Sequence, residues 1–222
     1  MHLKIRPGRL ALGACAGVVA LAAHADHAAE PVNYMALHIG RNDVSDWTGT
    51  VSLGPAVALP GTVSATRGTH FGLAGGRHWA HSRLELEYQG GGFDIWGISL
   101  GPVTQGLSAS GDYNALTFNG YATQPVGERF TVYGALGIGW GRVSLPQMGF
   151  SGGCNCFPSA SKSGFAWLAR AGAEYSFDRD NKAFVQYTHL ELPRPASAGA
   201  APGVQYDRKA VGALSIGYRR VF

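Results

Sequence analysis

The sequence predicts an all-β protein, a closed eight-stranded antiparallel up-and-down transmembrane β-barrel. Three observations lead to this prediction. Apolar and polar residues alternate with a period of two over most of the chain beyond the N-terminal segment, as in strands with two unlike faces. Glycine contributes 33 of 222 residues, about twice its ordinary share, while only 14% of residues are charged. The connections between predicted strands are alternately long and short, as in barrels whose two ends differ.

The N-terminal segment reads as a secretory signal peptide. Three basic residues and no acid precede an uncharged apolar run, residues 10–23, and Ala23-His24-Ala25 forms a small-x-small cleavage site. The run has 14 residues, whereas a membrane-spanning helix needs about 20. We therefore predict a signal peptide over residues 1–25 and a barrel domain over residues 26–222. Lipidation of Cys15 is disfavoured because it would divide the apolar run.

The charge of the chain does not indicate a nucleic-acid partner. The whole sequence carries 18 basic and 14 acidic residues, a net charge of +4. Without the three basic residues of the signal peptide the balance is 15 minus 14, or +1. No arginine-rich run or basic-aromatic patch is present in the sequence. We predict no nucleic-acid partner and no cofactor.

Eight strands are predicted from the alternation. They cover residues 33–41, 69–79, 82–95, 112–124, 129–143, 164–178, 182–190 and 209–222. The third contains RLELEYQ, in which Leu and Tyr alternate with Glu and Gln. The last strand continues to the aromatic residue Phe222, so its apolar face must be covered to the end of the chain.

The connections divide into two classes. Short turns join the second strand to the third, the fourth to the fifth and the sixth to the seventh. Long connections rich in Gly, Pro, Ser and Ala cover residues 42–68, 96–111, 144–163 and 191–208. The sequence leaves open whether residues 47–60 hold an extra hairpin. In an up-and-down barrel these two classes lie at opposite ends, and both termini lie at the short-turn end.

Lipid around the barrel explains the terminal strand. Every backbone N–H and C=O needs an internal partner in hydrocarbon, so the last strand must pair with the first. Aromatic residues are favoured at the two membrane interfaces. One belt is predicted at the short-turn end, with Trp79, Phe130, Tyr175, Phe177 and Phe222, and one at the other end, with Trp140, Phe165 and Trp167. A soluble lipocalin-like barrel or sandwich would instead expose many charges, which this polar face lacks.

Several segments carry a resemblance to a known family. RLELEYQ, FTVYGALGIGWG, AWLARAGAEYSF followed by KAFVQYTHL, and the terminal GALSIGYRRVF resemble the OmpA-like eight-stranded outer-membrane barrels, which include opacity-type surface proteins. The resemblance covers about residues 33–222. It implies the outer membrane of a Gram-negative cell, contact with lipid, a plugged interior, and recognition by the barrel-assembly machinery through the strand ending in Phe222. Arg220 departs from the family pattern, which usually has an aromatic or apolar residue there.

The polar face carries four charged residues that we predict to form an interior network: Glu85, Glu87, Arg170 and Glu174. An eight-stranded barrel has room only for packed side chains, and buried charges must be paired. We expect ion pairs and hydrogen bonds that fill the barrel and have a structural role. A gated polar path for small solutes is the alternative.

No catalytic or metal-binding residue is predicted. A lipid-modifying hydrolase would need a Ser nucleophile, a His base and a carboxylate in hydrogen-bond reach. His189 lies near the long-loop end, but the His-x-Ser arrangement of barrel deacylases is absent, so we interpret it as an interfacial strand residue.

Cys154 and Cys156 lie in the third long loop. The pair can form a small disulfide ring or supply two zinc ligands, and no nearby His completes a zinc site. Export favours the disulfide, although the sequence does not say whether the ring closes.

The sequence thus predicts a small outer-membrane barrel with a structural or surface-interaction role. Its long loops would carry any binding to an unidentified surface ligand. The alternatives are an outer-membrane lipid-modifying hydrolase and a narrow solute pore.

Overall fold

The computed structural model describes residues 31–54, 56–197 and 202–222, so the predicted signal peptide lies outside the described residues. The strands are β1 (Val32–Val44), β2 (Trp47–Gly54), β3 (Val57–Ala65), β4 (Gly68–His78), β5 (Ser82–Leu100), β6 (Val103–Val126), β7 (Phe130–Leu145), β8 (Ala160–Ser176), β9 (Asn181–Leu192), β10 (Gly203–Tyr206) and β11 (Lys209–Val221). Within the described ranges, no helix has the length and apolar character needed to cross a membrane.

Eight of these strands close into a ring, which confirms the predicted barrel. Its antiparallel order is β1, β4, β5, β6, β7, β8, β9 and β11. The ring closes where β11 pairs with β1, from Tyr34 opposite Val221 to Val44 opposite Val211. The backbone of the terminal strand therefore has partners on both sides, since β9 pairs with its other edge.

The other three strands extend the sheet at the long-loop end. β2 and β3 form a hairpin within residues 42–68, which answers the question that the sequence left open. β3 pairs with the end of β5, with Gly61 opposite Leu100. β10 adds to β2. We call β2, β3, β10 and the adjoining residues 95–111 of β5 and β6 the outer sheet.

Two predicted loops are shorter than expected. The prediction of a long connection over residues 96–111 is wrong, because β5 continues to Leu100 and β6 begins at Val103. Gly101 turns the chain between them with a φ of 56°. The residues here are small, so the sequence shows no clear alternation of apolar and polar side chains. Backbone pairing does not depend on side-chain size, and the strands form nevertheless. The predicted connection over residues 144–163 likewise shrinks to residues 146–159.

The outer surface of the ring carries an apolar band. On β1, Met35, Leu37 and Ile39 are 54–61% exposed, and on β11, Leu214 and Ile216 are 60% and 66% exposed. Soluble monomers rarely expose so large an apolar surface, so this band is the lipid-facing surface.

Aromatic rings lie at both edges of the apolar band. At the short-turn end the ring centroids of Phe130 and Tyr175 lie 5.1 Å apart, and those of Tyr175 and Phe177 lie 5.3 Å apart. At the other edge, Trp140 is paired with Phe165 across β7 and β8. This arrangement agrees with the predicted belts.

The interior changes character along the barrel axis. Polar and charged side chains fill the half near the short turns, whereas an apolar core fills the half near the long loops. Trp47, Phe93, Phe157 and Tyr206 are among the largest residues of that core. The sequence analysis predicted only the polar part.

The position of the apolar residues changes along β5. Near the short turns the apolar residues are Leu84, Leu86 and Tyr88, which point outward. Near the long loops they are Phe93 and Ile95, which occupy the other set of alternate positions and point inward. Beyond the lipid the outside of the barrel meets water, so apolar side chains are buried in the interior there.

Candidate functional site

The central group of the interior is a charge pair between β8 and β5. Arg170 Nη2 donates to both carboxylate oxygens of Glu87, at 2.9 and 2.8 Å. Arg170 Nη1 donates to the Tyr121 hydroxyl at 2.7 Å, and its Nε donates to Thr188 Oγ1 at 2.9 Å. All these side chains are buried. Arg170, on β8, thus has partners on three other ring strands, β5, β6 and β9, and links opposite walls of the barrel.

Glu85 lies next to this pair and has its own set of donors. The hydroxyls of Tyr34 and Tyr121 donate to it at 2.9 and 2.5 Å. Asn119 Nδ2 donates to it at 3.3 Å, and Arg170 Nη1 lies 3.6 Å from its carboxylate. The predicted residues Glu85, Glu87 and Arg170 therefore lie together.

Glu174, the fourth predicted residue, belongs to a second group nearer the short turns. Arg83 Nη1 donates to Glu174 Oε2 at 2.9 Å, and Lys182 Nζ lies 3.1 Å from Oε1. Arg219 also pairs with Glu174. Three cations thus surround one carboxylate, and we call Arg83, Glu174, Lys182 and Arg219 the inner cluster.

Sequence analysis did not single out two interior histidines. His38 Nε2 and Glu87 Oε1 lie 2.7 Å apart, and the rings of His38 and His70 are 5.2 Å apart. His70 Nδ1 lies 2.9 Å from the Tyr113 hydroxyl. Parity was the available signal, because both histidines alternate with the lipid-facing residues of β1 and β4.

The arrangement of these groups does not resemble a hydrolytic site. Among the described residues, neither interior histidine hydrogen-bonds a serine, threonine or cysteine. His189 packs against Trp167 with ring centroids 5.5 Å apart. No set of three or more metal-ligating side chains is found in the described ranges. The polar groups of the interior instead bond to one another.

The cysteine pair lies outside the barrel interior network. The structure joins Cys154 and Cys156 by a disulfide in the loop between β7 and β8. Next to it, Phe157 is fully buried in the apolar core, and Met148 pairs with it across the loop. The loop is thereby held against the outer half of the barrel.

Comparison with known families gives one match. A family model described as an outer membrane protein beta-barrel domain matches residues 11–219. No curated protein matches the chain.

Solved structures give matches to the fold. Neisserial surface protein A is 12% identical, with a TM-score of 0.54, covering 89% of this chain and 100% of that one. The attachment invasion locus protein of Yersinia pestis is 15% identical, with a TM-score of 0.43 and coverages of 86% and 99%. The outer membrane protease OmpT of Escherichia coli is 9% identical, with a TM-score of 0.48 and coverages of 86% and 97%. At these identities the likeness concerns the fold, and only the first score is high enough to support it.

Proposed function

The chain belongs to the outer membrane protein beta-barrel domain family and is located in the outer membrane of a Gram-negative cell. From this premise we propose that it is a non-enzymatic surface-interaction protein. The short turns face the periplasm and the outer sheet faces the exterior, as in other barrels of this class. One observation carries the proposal. The interior is filled along its length, while the ordered outer sheet presents an open backbone edge to the outside.

The filled interior counts against transport. The polar network occupies the periplasmic half and the apolar core occupies the outer half, where Val51, Val63, Ile98 and Leu192 are fully buried. An eight-stranded barrel is only wide enough for such side chains. We expect the purified protein to be silent in planar bilayers, and a reproducible open channel would support the pore instead.

The outer sheet supplies a rigid surface. The rings of Trp47 and Phe93 stack with centroids 6.0 Å apart. The Tyr206 ring packs against the same indole in an edge-to-face arrangement, with centroids 6.3 Å apart. Strands from the first, second and fourth outer connections therefore share one core. A surface ordered in this way can bind a partner without first losing conformational entropy.

One edge of the outer sheet is covered. β10 is flanked by the segment 193–197, in which Ser197 N donates to Val204 O and Pro195 O accepts from Tyr206 N, both at 3.0 Å. These bonds use the backbone groups that an edge strand would otherwise present.

The opposite edge is open. Residues 103–111 of β6 pair with β5 on one side, but pairing with β7 begins only at Asp112. The loop 146–159 contacts this stretch through the side chain of Gln105, whose Oε1 accepts from Ser151 N and Oγ at 2.8 and 3.0 Å. No hydrogen bond between backbone groups of described residues joins the two segments. The stretch also contains no charge and no proline, the usual protections of an edge strand. Unpaired N–H and C=O groups of this kind fit an extended polypeptide, which we propose as the partner.

The test places lysines on this edge. A deletion strain is complemented with the wild type, with Thr104→Lys/Ser108→Lys, or with Thr50→Lys. Thr104, Ser108 and Thr50 are all exposed, but Thr50 lies on β2, which is paired on both sides. Adhesion to host cells and survival in serum are then measured, with cold-gel migration showing that each barrel is folded.

We expect the double variant to lose the activity that the deletion removes, while Thr50→Lys retains it. If the double variant matches the wild type, the edge is not the binding site. If deletion changes neither adhesion nor survival, the proposed surface role is wrong.

A further inference from the structure

The inner cluster carries more positive charge than its own carboxylate offsets. Arg83, Lys182 and Arg219 surround Glu174 alone. The side chains of Arg83, Arg219 and Glu174 are 2–4% exposed, and that of Lys182 is 14% exposed. Three cations and one carboxylate give a local charge of +2 in a site that is nearly closed to water.

The other interior carboxylates are engaged elsewhere. Glu87 is bound by Arg170, His38 and Asn119, and Glu85 is bound by two tyrosines and Asn119 and lies near Arg170. Neither has a hydrogen bond to a cation of the inner cluster among the described residues. Among the described residues, Glu174 is therefore the only carboxylate that forms an ion pair with a cation of the inner cluster.

The strand register brings two of the cations together. Arg219 on β11 lies directly opposite Lys182 on β9, and like charges in this position repel each other. Arg83 reaches the same carboxylate from β5, on another part of the wall. Without a further negative charge, the fold would hold three repelling side chains around one acceptor.

The guanidinium groups have free donors. Aromatic rings cover their faces: Arg83 Cζ lies 4.5 Å from the Tyr121 centroid and 4.7 Å from that of Tyr133, and Arg219 Cζ lies 4.9 Å from that of Tyr34. Their edges are not covered, since Arg83 Nε and Nη2 and Arg219 Nε have no partner among the described residues. Buried polar groups are almost always hydrogen-bonded.

We propose that the inner cluster binds a small inorganic anion of the phosphate type. Water could accept the free N–H groups, but it could not offset the charge, and burial without compensation is costly. An oxyanion does both, because its oxygens accept charge-assisted hydrogen bonds from guanidinium and ammonium groups.

The periplasmic end gives a route to the site. Lys182 is the most exposed member of the cluster, and it lines a depression of about 370 Å³. Two further cations, Arg129 and Arg179, and two carboxylates, Glu128 and Asp178, line the same depression. Arg83 and Arg219 are not among the lining residues but pair with the same carboxylate as Lys182, so an anion entering there would reach the cluster through Lys182. The bound anion would also close the periplasmic end of the interior.

The proposal is tested on the full mature barrel in detergent. Inorganic phosphate is titrated into the protein by calorimetry in a low-salt zwitterionic buffer, and the thermal unfolding midpoint is measured with and without phosphate. The variants are Lys182→Gln, Arg219→Gln and Arg220→Gln. Arg220 is the matched control. It follows Arg219 in the sequence and lies at the same end of the barrel, but it points outward and is exposed.

We expect saturable binding of one phosphate by the wild type and by Arg220→Gln, and a rise in their unfolding midpoints. Loss of one charge-assisted contact should weaken binding by about tenfold or more in Lys182→Gln and Arg219→Gln. If Arg219→Gln does not fold, Lys182→Gln decides the question. Absence of saturable binding by the wild type, or equal weakening by Arg220→Gln and Lys182→Gln, would overturn the proposal.

Discussion

Arg170 and Glu87 form a two-pronged ion pair inside the barrel, with Arg170 Nη2 2.9 and 2.8 Å from the two carboxylate oxygens. The residues are 83 positions apart in sequence and lie on non-adjacent strands of the ring, β8 and β5. The pair is therefore formed only when the sheet has closed.

Removal of the cation should destabilise the barrel strongly. Arg170→Met leaves Glu85 and Glu87 buried without their shared arginine, and loss of one partner of a buried pair costs about 3–5 kcal/mol. The free energy of unfolding is measured by urea titration in detergent or lipid vesicles. Arg220→Met, on the outer surface, is the control, and an unchanged midpoint for Arg170→Met would contradict the prediction.

A charge on the lipid face should have a comparable effect for a different reason. Ile216 is 66% exposed and lies opposite Ile39 within the apolar band. Ile216→Lys should lower the free energy of unfolding in vesicles by about 2–4 kcal/mol. Thr50→Lys, on the outer sheet, should have little effect. Equal stability of the two variants would show that Ile216 does not face lipid.

Trp47 should stabilise the outer sheet more than the membrane-spanning ring. Its side chain is fully buried among apolar residues, and Trp→Ala in such a core costs about 3–5 kcal/mol. Trp47→Ala should increase amide exchange and protease cleavage within residues 47–65, while heat-modifiable gel migration persists. The exposed Trp96 provides the control variant Trp96→Ala, and equal protection in both proteins would contradict this prediction.

The last residue should matter for assembly. Phe222 N donates to Asn33 O at 2.9 Å, and its ring is 67% exposed at the end of the closing strand. Deletion of Phe222 should reduce the folded fraction of the barrel in cells, as measured by cold-gel migration of membrane fractions. Phe177→Ala removes another exposed aromatic side chain of the same belt and is the control. Wild-type assembly of the deletion would count against a role for this residue.

The periplasmic turn after β8 should have a pH-dependent stability. The Asn181 side chain and the backbone N–H groups of Asp180 and Asn181 donate to Asp178, which lowers its pKa below the ordinary 3.8. The stabilisation is therefore complete above the unfolded pKa and is lost as pH falls through the folded pKa. An NMR titration of the Asp178 carboxyl should give a midpoint below 3.8.

Asn181→Ala should raise the pKa of Asp178 toward its ordinary value, because it removes the largest cause of the shift. The same titration in both proteins tests this, and identical midpoints would show that the side-chain amide does not stabilise the charged carboxylate.

The sequence alone determined the ring. Its period-two alternation identified the lipid-facing residues of all eight ring strands, and RLELEYQ placed Glu85 and Glu87 on the inner face. These features are local, because in hydrocarbon each strand needs one apolar face whatever its neighbours are. The same parity implies inward positions for His38 and His70, but the sequence analysis did not single them out, because their sequence context gave no reason to join them to Glu87.

The tertiary structure decided which residues meet. Glu174 lies with three cations and Glu87 with Arg170 because register and barrel closure set distances between residues far apart in the chain. The outer sheet was hidden for another reason. Residues 96–111 are small and weakly patterned, and their strand conformation depends on pairing between β5 and β6 and on a core shared with β2 and β10. Local propensity cannot report a core that several distant segments build together.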